Sequence, residues 1–510
     1  MKTRNLLRSL ATLAVAALLA LPVAAQQADF TTYVSLGDSL TMGIMDACLV
    51  EHGQRDSYPA VLARQASNAA FEQPLVKEHG LGGCMYLKSL LSSTGALDPV
   101  FGAWPSDGVP LNATLSRPYN NLGIDGFKIH DVVATNPTTP GASAAYLTLR
   151  GQGTALQQAA SLKPTFLTIW IGANEFYGAI TSATTIPCPD PAVRGCTLTA
   201  MSSVNADLDT IFNTLKAAQG GTGKGVVLNM SDPPLIPFVT TVSPVLGTNP
   251  ANNQPIYALS NVGCPSGVPV CPVPPGSYLT LVASQYLKAG YGVPCAILAP
   301  TDPKQANCNK PLPDNYAVNP ATGAVSPGVV LTPPEWAAIR LEAQQINAAI
   351  QAKATAAGYK VFDMSDWWND LLAHGRSYGG LSLSASYLGG IVSYDGAHLT
   401  STGYAILAND LIQFINANYG NTIVQADMYP FLFNGNTSTG GYPLPPASVV
   451  LAPGDEITWA AAVFGPDNWQ QNLKSFFPDL HPRHAVTGNP HGMPNPVDRE
   501  IPDNRPDRVN

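Results

Sequence analysis

The sequence predicts a doubly wound α/β sandwich, and three observations carry that expectation. Several short segments are apolar on both faces, as strands must be in a parallel sheet covered by helices. Stretches with helical spacing lie between and after them. Strand-like and helix-like stretches alternate along the chain, which is the pattern of a layered α/β domain.

The strand-like segments are TYVSLG at 32–37, FLTIWIGANE at 166–175, GVVLNM at 225–230 and YKVF at 359–362. A helix is predicted over 336–350, where Trp336, Ile339, Ala343, Ile346 and Ile350 fall on one face. Thr332 and Glu335 form a capping box for it, Pro333 and Pro334 occupy its first positions, and Gly358 suits its exit. A further helix is expected over 402–417, with Tyr404, Leu407, Leu411 and Phe414 inward and Gly420 as a stop.

Two regions stand outside the alternation. The stretch 233–334 holds 20 of the 46 prolines and four of the eight cysteines, which reads as an irregular insertion (233–333) stapled by disulfides. A C-terminal extension over 427–480 retains apolar material and would pack back on the domain at 26–426, whereas 481–510, rich in Pro, Asn, Asp and Arg, reads as a disordered tail.

The chain has 510 residues, 45% apolar and 12% charged, enough for a substantial core. Its net charge of -8, without a basic cluster, gives no electrostatic case for nucleic acid or an anionic membrane surface. Residues 1–25 read as a cleaved signal peptide: Lys2, Arg4 and Arg8 precede an apolar run that ends at Val23, Ala24 and Ala25. No cysteine follows for lipid attachment, and no later segment is long and apolar enough to span a bilayer, so the expected location is periplasmic or secreted. In that setting eight cysteines suit disulfides. Proximity pairs Cys188 with Cys196, Cys264 with Cys271 and Cys295 with Cys308, leaving Cys48 with Cys84, although eight cysteines admit 105 connectivities. The absence of any C-x-x-C pair argues against a metal site.

Chemistry-bearing residues fall at or after these segments. Ser39 follows TYVSLG in the stretch YVSLGDSLTMG, NNLGIDG spans 120–126, IGANE spans 171–175 and YDGAH spans 394–398. Open α/β sheets bind ligands beyond the carboxyl ends of their strands, so a serine there is well placed. It needs an imidazole to take its proton. Asp38 points to the opposite face of an extended strand and is a poor orienter for such a base. In contrast, Asp395 and His398, three apart on one loop, can turn toward each other. The other histidines of the domain, His52, His79, His130 and His374, suit packing or surface roles.

Taken together and in order, Gly-Asp-Ser-Leu at 37–40, the glycine of NLGIDG, Gly-Ala-Asn at 172–174 and Asp-Gly-Ala-His at 395–398 resemble the four blocks of the SGNH, or GDSL, hydrolase family. SYPAVLARQ at 57–65 is similar to the exported bacterial branch. The resemblance covers about residues 30–420 apart from the insertion. It implies a flavodoxin-like three-layer α/β/α sandwich and hydrolysis of a small-molecule or lipid ester without cofactor or metal. Ser39 is then the nucleophile, His398 the base and Asp395 its orienter. The implied oxyanion donors are the backbone N–H groups of Ser39 and Gly126 and the amide of Asn174. Gly123 is the rival glycine, but its spacing from Asn121 matches less well. The chain departs from the pattern at Glu175, where many members carry Asp, and at Asp125, where many carry Pro. Two other functions compete with a lipid or carboxylic esterase. One is removal of acetyl groups from polysaccharide, with aromatic and Asn residues of the insertion as a sugar platform. The other is a surface binding protein on the same scaffold.

Overall fold

The computed structural model describes residues 27–433 except 78, 92–96, 142, 189–195, 232–235, 314–316, 319–324, 327 and 379–380. The expected signal peptide at 1–25, the extension beyond 433 and the tail at 481–510 lie outside the described residues.

Five strands, β1 (Tyr33–Gly37), β2 (Asn121–Gly123), β3 (Phe166–Trp170), β4 (Gly225–Leu228) and β5 (Lys360–Phe362), form one parallel sheet in the order β5-β4-β3-β1-β2. Every residue of β1, β3 and β4 is buried, because helices cover both faces. Strand order reverses between β1 and β3. Right-handed crossovers running in opposite directions from that point must lie on opposite faces.

One layer contains α2 (Tyr58–Gln65) and α8 (Ser401–Tyr419), packed on each other. The other contains α3 (Ala155–Ser161), α5 (Met201–Ala218) and α6 (Pro333–Ala357), with α5 between its neighbours. Three shorter roles belong to α1 (Ser39–Met42), α4 (Asn174–Ser182) and α7 (Met364–His374), which follow β1, β3 and β5 closely. The expected three-layer α/β/α sandwich is therefore present.

Its elements differ from expectation in detail. The strand read over 166–175 stops at Trp170, and Asn174 and Glu175 open α4. The capping box at Thr332 and Glu335 starts α6, which runs to Ala357 before Gly358 turns at φ 100°. Helix α8 is buried all round over residues 401–409 instead of along one stripe. The reason is a short return segment: Met428, Phe431 and Leu432 join the core, and Thr402 Oγ1 donates to Phe431 O at 2.9 Å.

The insertion is less irregular than its composition suggests. It carries two-stranded ladders, Val245–Thr248 with Pro255–Tyr257 and Leu259–Ser260 with Cys271–Pro272. It also has a small core of its own around Ala258, Val273, Leu279, Leu312 and Val330. Disulfides join Cys48–Cys84, Cys188–Cys196, Cys264–Cys271 and Cys295–Cys308, the pairs that proximity suggested. No helix among the described residues is long and apolar enough to cross a membrane.

Candidate active site

The carboxyl ends of the five strands are flush. Gly37 stands level with Gly123 on one side and Trp170 on the other, and Leu228 is level with both Trp170 and Phe362. The loops leaving this edge therefore converge on one crevice, at the reversal of strand order where α/β sheets hold ligands.

Ser39 sits there because the chain turns sharply out of β1. A Cβ on Gly37 would come within 2.4 Å of Trp170 O and closer still to Thr41, so only glycine fits. Asp38, not Ser39, is the N-cap of α1: its Oδ1 accepts the Leu40 N–H at 3.0 Å. Burial pushes the Asp38 carboxyl up to about 7, partly offset by that N–H and by His398. Asp38 thus shapes the turn and takes no part in orienting a base, and Ser39 presents its hydroxyl from the first helical position.

The structure brings His398 and Asp395 to that hydroxyl. His398 Nε2 lies 2.9 Å from Ser39 Oγ, and His398 Nδ1 lies 2.8 Å from Asp395 Oδ2. An ionised Asp395 can only accept, which fixes the proton of neutral His398 on Nδ1 and leaves Nε2 to accept from the serine. Asp395 Oδ1 accepts the N–H groups of Ala397 and His398, each at 2.9 Å, and Ala47 N–H donates to Oδ2 at 2.8 Å. Burial alone would raise the Asp395 pKa, but the imidazole charge and these donors hold it well below the ordinary carboxylate value. Burial pulls His398 down, yet the Asp395 carboxylate, with lesser help from Asp125 and Asp38, outweighs this and holds it above the ordinary 6.5.

The two candidate glycines have different surroundings. A Cβ on Gly123 would lie 2.4 Å from Met42 N, so this glycine lets β2 pack on α1. Gly126 turns at φ 75° with nothing within 4 Å of a built Cβ, leaving its backbone open. Asn174 Nδ2 donates to Phe127 O at 3.0 Å, so the amide stands beside the Gly126 loop with one N–H uncommitted by that bond. Glu175, noted in the sequence only as a departure, is buried, and its Oε1 accepts Ile129 N–H at 2.6 Å. Burial raises the Glu175 pKa, partly offset by Thr199, Ile129 and Lys128. Adjacent side chains thus tie the start of α4 to the far side of the Gly126 turn.

Beside Ser39 and His398 opens a pocket walled by Trp170, Phe176, Tyr177, Met230, Trp367 and Trp368. Sequence reading did not single out these residues. Trp367 and Trp368 lie on α7, and tertiary packing turns them to the crevice. The insertion contributes Ile236, and its first turn, Pro237–Thr240, rests on the loop of Asp395 and His398 through Phe238 N–H donating to Gly396 O at 2.9 Å. Among the described residues, no Tyr or Asn of the insertion lines the pocket. Three other histidines are engaged elsewhere: His79 stacks on Trp104, His130 pairs with Asp207 and His374 with Asp370.

No protein-family model matches the chain, and no curated protein matches it. Among solved structures, an extracellular lipase from Streptomyces rimosus aligns at 15% identity with a TM-score of 0.27, over 73% of this chain and 94% of the lipase.

Proposed function

We propose that the protein is a serine ester hydrolase. The observation that carries this reading is the unbroken relay from Ser39 Oγ through His398 to Asp395, at 2.9 and 2.8 Å, opening on an apolar pocket at the sheet's switch point.

The chemistry follows from the geometry. Ser39 Oγ attacks the ester carbonyl carbon as its proton passes to His398 Nε2, and Asp395 stabilises the imidazolium. Negative charge then develops on the carbonyl oxygen. The Ser39 N–H, the Gly126 N–H and the free N–H of Asn174 are the donors for it, supported by the clamp that Asn174 and Glu175 place on the Gly126 turn. Collapse expels the alcohol, which takes the proton from His398. A water deprotonated by the same imidazole then releases the acid and regenerates the serine.

The substrate is a carboxylic ester whose acyl part is apolar, since aromatic and Met side chains dominate the wall beside Ser39. An acetyl group would leave most of that wall uncovered, and among the described residues no Tyr or Asn of the insertion reaches it. Export agrees with the basic start and apolar run of the N-terminus and with four disulfides.

The test is hydrolysis of p-nitrophenyl esters from acetyl to palmitoyl, with Ser39→Ala as control. Serine-dependent turnover that rises beyond acetyl is expected. A maximum at acetyl would replace the acyl-ester reading with a deacetylase. No turnover together with no labelling by a serine-reactive phosphonate would remove the hydrolase reading.

A further inference from the structure

The loop at 45–48 belongs to none of the sequence motifs, yet it is built against the loop that carries Asp395. Asp46 and Ala47 both adopt the left-handed conformation, at φ 53° and 62°. Residues other than glycine avoid that region unless their surroundings hold them there, and such strain concentrates at functional sites. Here the surroundings are visible. Met45 and Cys48 exchange backbone hydrogen bonds at 3.2 and 3.0 Å, Met85 N–H donates to Asp46 O at 3.0 Å, and the Cys48–Cys84 bond closes the loop.

From that frame both strained residues reach the same strip of backbone. Asp46 Oδ1 accepts Tyr394 N–H at 2.8 Å, and Asp46 N–H donates to Ser393 Oγ at 3.1 Å. One residue on, Ala47 N–H donates to Asp395 Oδ2, the oxygen that also faces His398 Nδ1. A carboxylate can swing about its Cβ–Cγ bond. With Oδ1 held by Ala397 and His398 and Oδ2 held by Ala47, this one cannot.

We propose that Asp46 is a positioning residue for the triad: its side chain anchors the backbone beside Asp395 and holds Ala47 N–H on the oxygen that orients His398. The proposal rests on Asp395 being the orienting carboxylate. Asp46 is fully buried, and burial, with Asp395 nearby, pushes its carboxyl well above the ordinary value. Its contribution is geometric: one carboxyl oxygen holds Tyr394 N–H while its own N–H is held by Ser393. Asparagine has the same shape, the same acceptor and a tolerance for left-handed backbone, so it should serve equally well.

The experiment compares Asp46→Asn with Asp46→Ala on two readouts, at a temperature where circular dichroism shows both folded. The first is the far-downfield proton resonance of the His398–Asp395 hydrogen bond, identified by its loss in His398→Ala. The second is the split between kcat and KM on an activated ester. Asp46→Asn should keep the resonance and stay within about twofold of the parent in kcat. Asp46→Ala should shift or broaden the resonance and lower kcat at least about tenfold with KM little changed, the range expected when a hydrogen bond to a charged group is lost. If Asp46→Ala does not fold, Ser393→Ala removes only the partner of Asp46 N–H and should move the resonance in the same direction. An unchanged resonance and kcat in the alanine variant, equal losses in both Asp46 variants, or no such resonance in the parent would each overturn the proposal. Failure of the parent to hydrolyse or label would remove the hydrolase reading instead, and the resonance would still decide the role of Asp46.

Discussion

The edge of the sheet and the insertion are built on opposite plans. At the edge, five strands end flush and the segments leaving β1, β3, β4 and β5 set side chains in one crevice. The insertion has ladders of two to four residues, a core of its own, and two disulfides spanning 7 and 13 residues. Among the described residues, it meets the crevice where Ile236 lines it and where Phe238 and Leu281 back Gly396. The difference teaches that the crevice and the insertion are held by different means: chiefly long-range burial for the first, a small separate core and short covalent staples for the second.

Substitutions can sharpen or break that contrast. The largest effect belongs to Ser39→Ala, which should lower kcat by about 10⁴-fold or more while leaving the thermal midpoint nearly unchanged, since the hydroxyl is spare to the core. Retained turnover would break the assignment. Next, the Cys48→Ser, Cys84→Ser pair opens a 36-residue loop and should cost about 4 kcal/mol in chemical denaturation by the chain-entropy relation. It should also lower kcat, because the same loop holds Ala47 against Asp395. Asn174→Ala should reduce kcat by about 10²–10³-fold, worth about 3–4 kcal/mol, with KM less affected.

The counterpart in the insertion is Cys264→Ser with Cys271→Ser. Its 7-residue loop predicts about 2.4 kcal/mol of local stability and no change in kcat on a short ester. A large fall in kcat there would dissolve the separation between the regions. The smallest effect is in pH. His398 must be neutral to accept the Ser39 proton and is held above 6.5, so kcat/KM should rise with pH through a midpoint above that value. Stability has the opposite sign: the charged pair with Asp395 contributes fully below 6.5 and is lost as pH rises through the raised folded value. A pH profile with its midpoint at or under 6.5 would contradict this.

The same contrast explains what the sequence could reveal. Strands β1, β3 and β4 announce themselves because burial on both faces demands unbroken apolar runs. β2 does not, since three residues, Asn121–Gly123, are too few for any period, and two of them are there for a side-chain hydrogen bond and a close backbone approach. Ser39, Asn174, Asp395 and His398 stand out as motif residues because their side chain types are chemically special. Asp46, Ala47 and Glu175 do not, because their hydrogen bonds reach residues distant in the chain, and such contacts leave no pattern in a single sequence. Likewise, the Trp367–Trp368 pair is indistinguishable in sequence from ordinary core packing until α7 is placed beyond β5.

The separation of Ser39 and His398 by 359 positions has a consequence in time. A polypeptide made from its N-terminus carries the serine almost from the outset, but acquires the imidazole only when nearly the whole domain exists. Contacts so distant in sequence form late in folding. On the proposed mechanism, a nascent or truncated product that ends before residue 398 has Ser39 without its base and is inert toward esters.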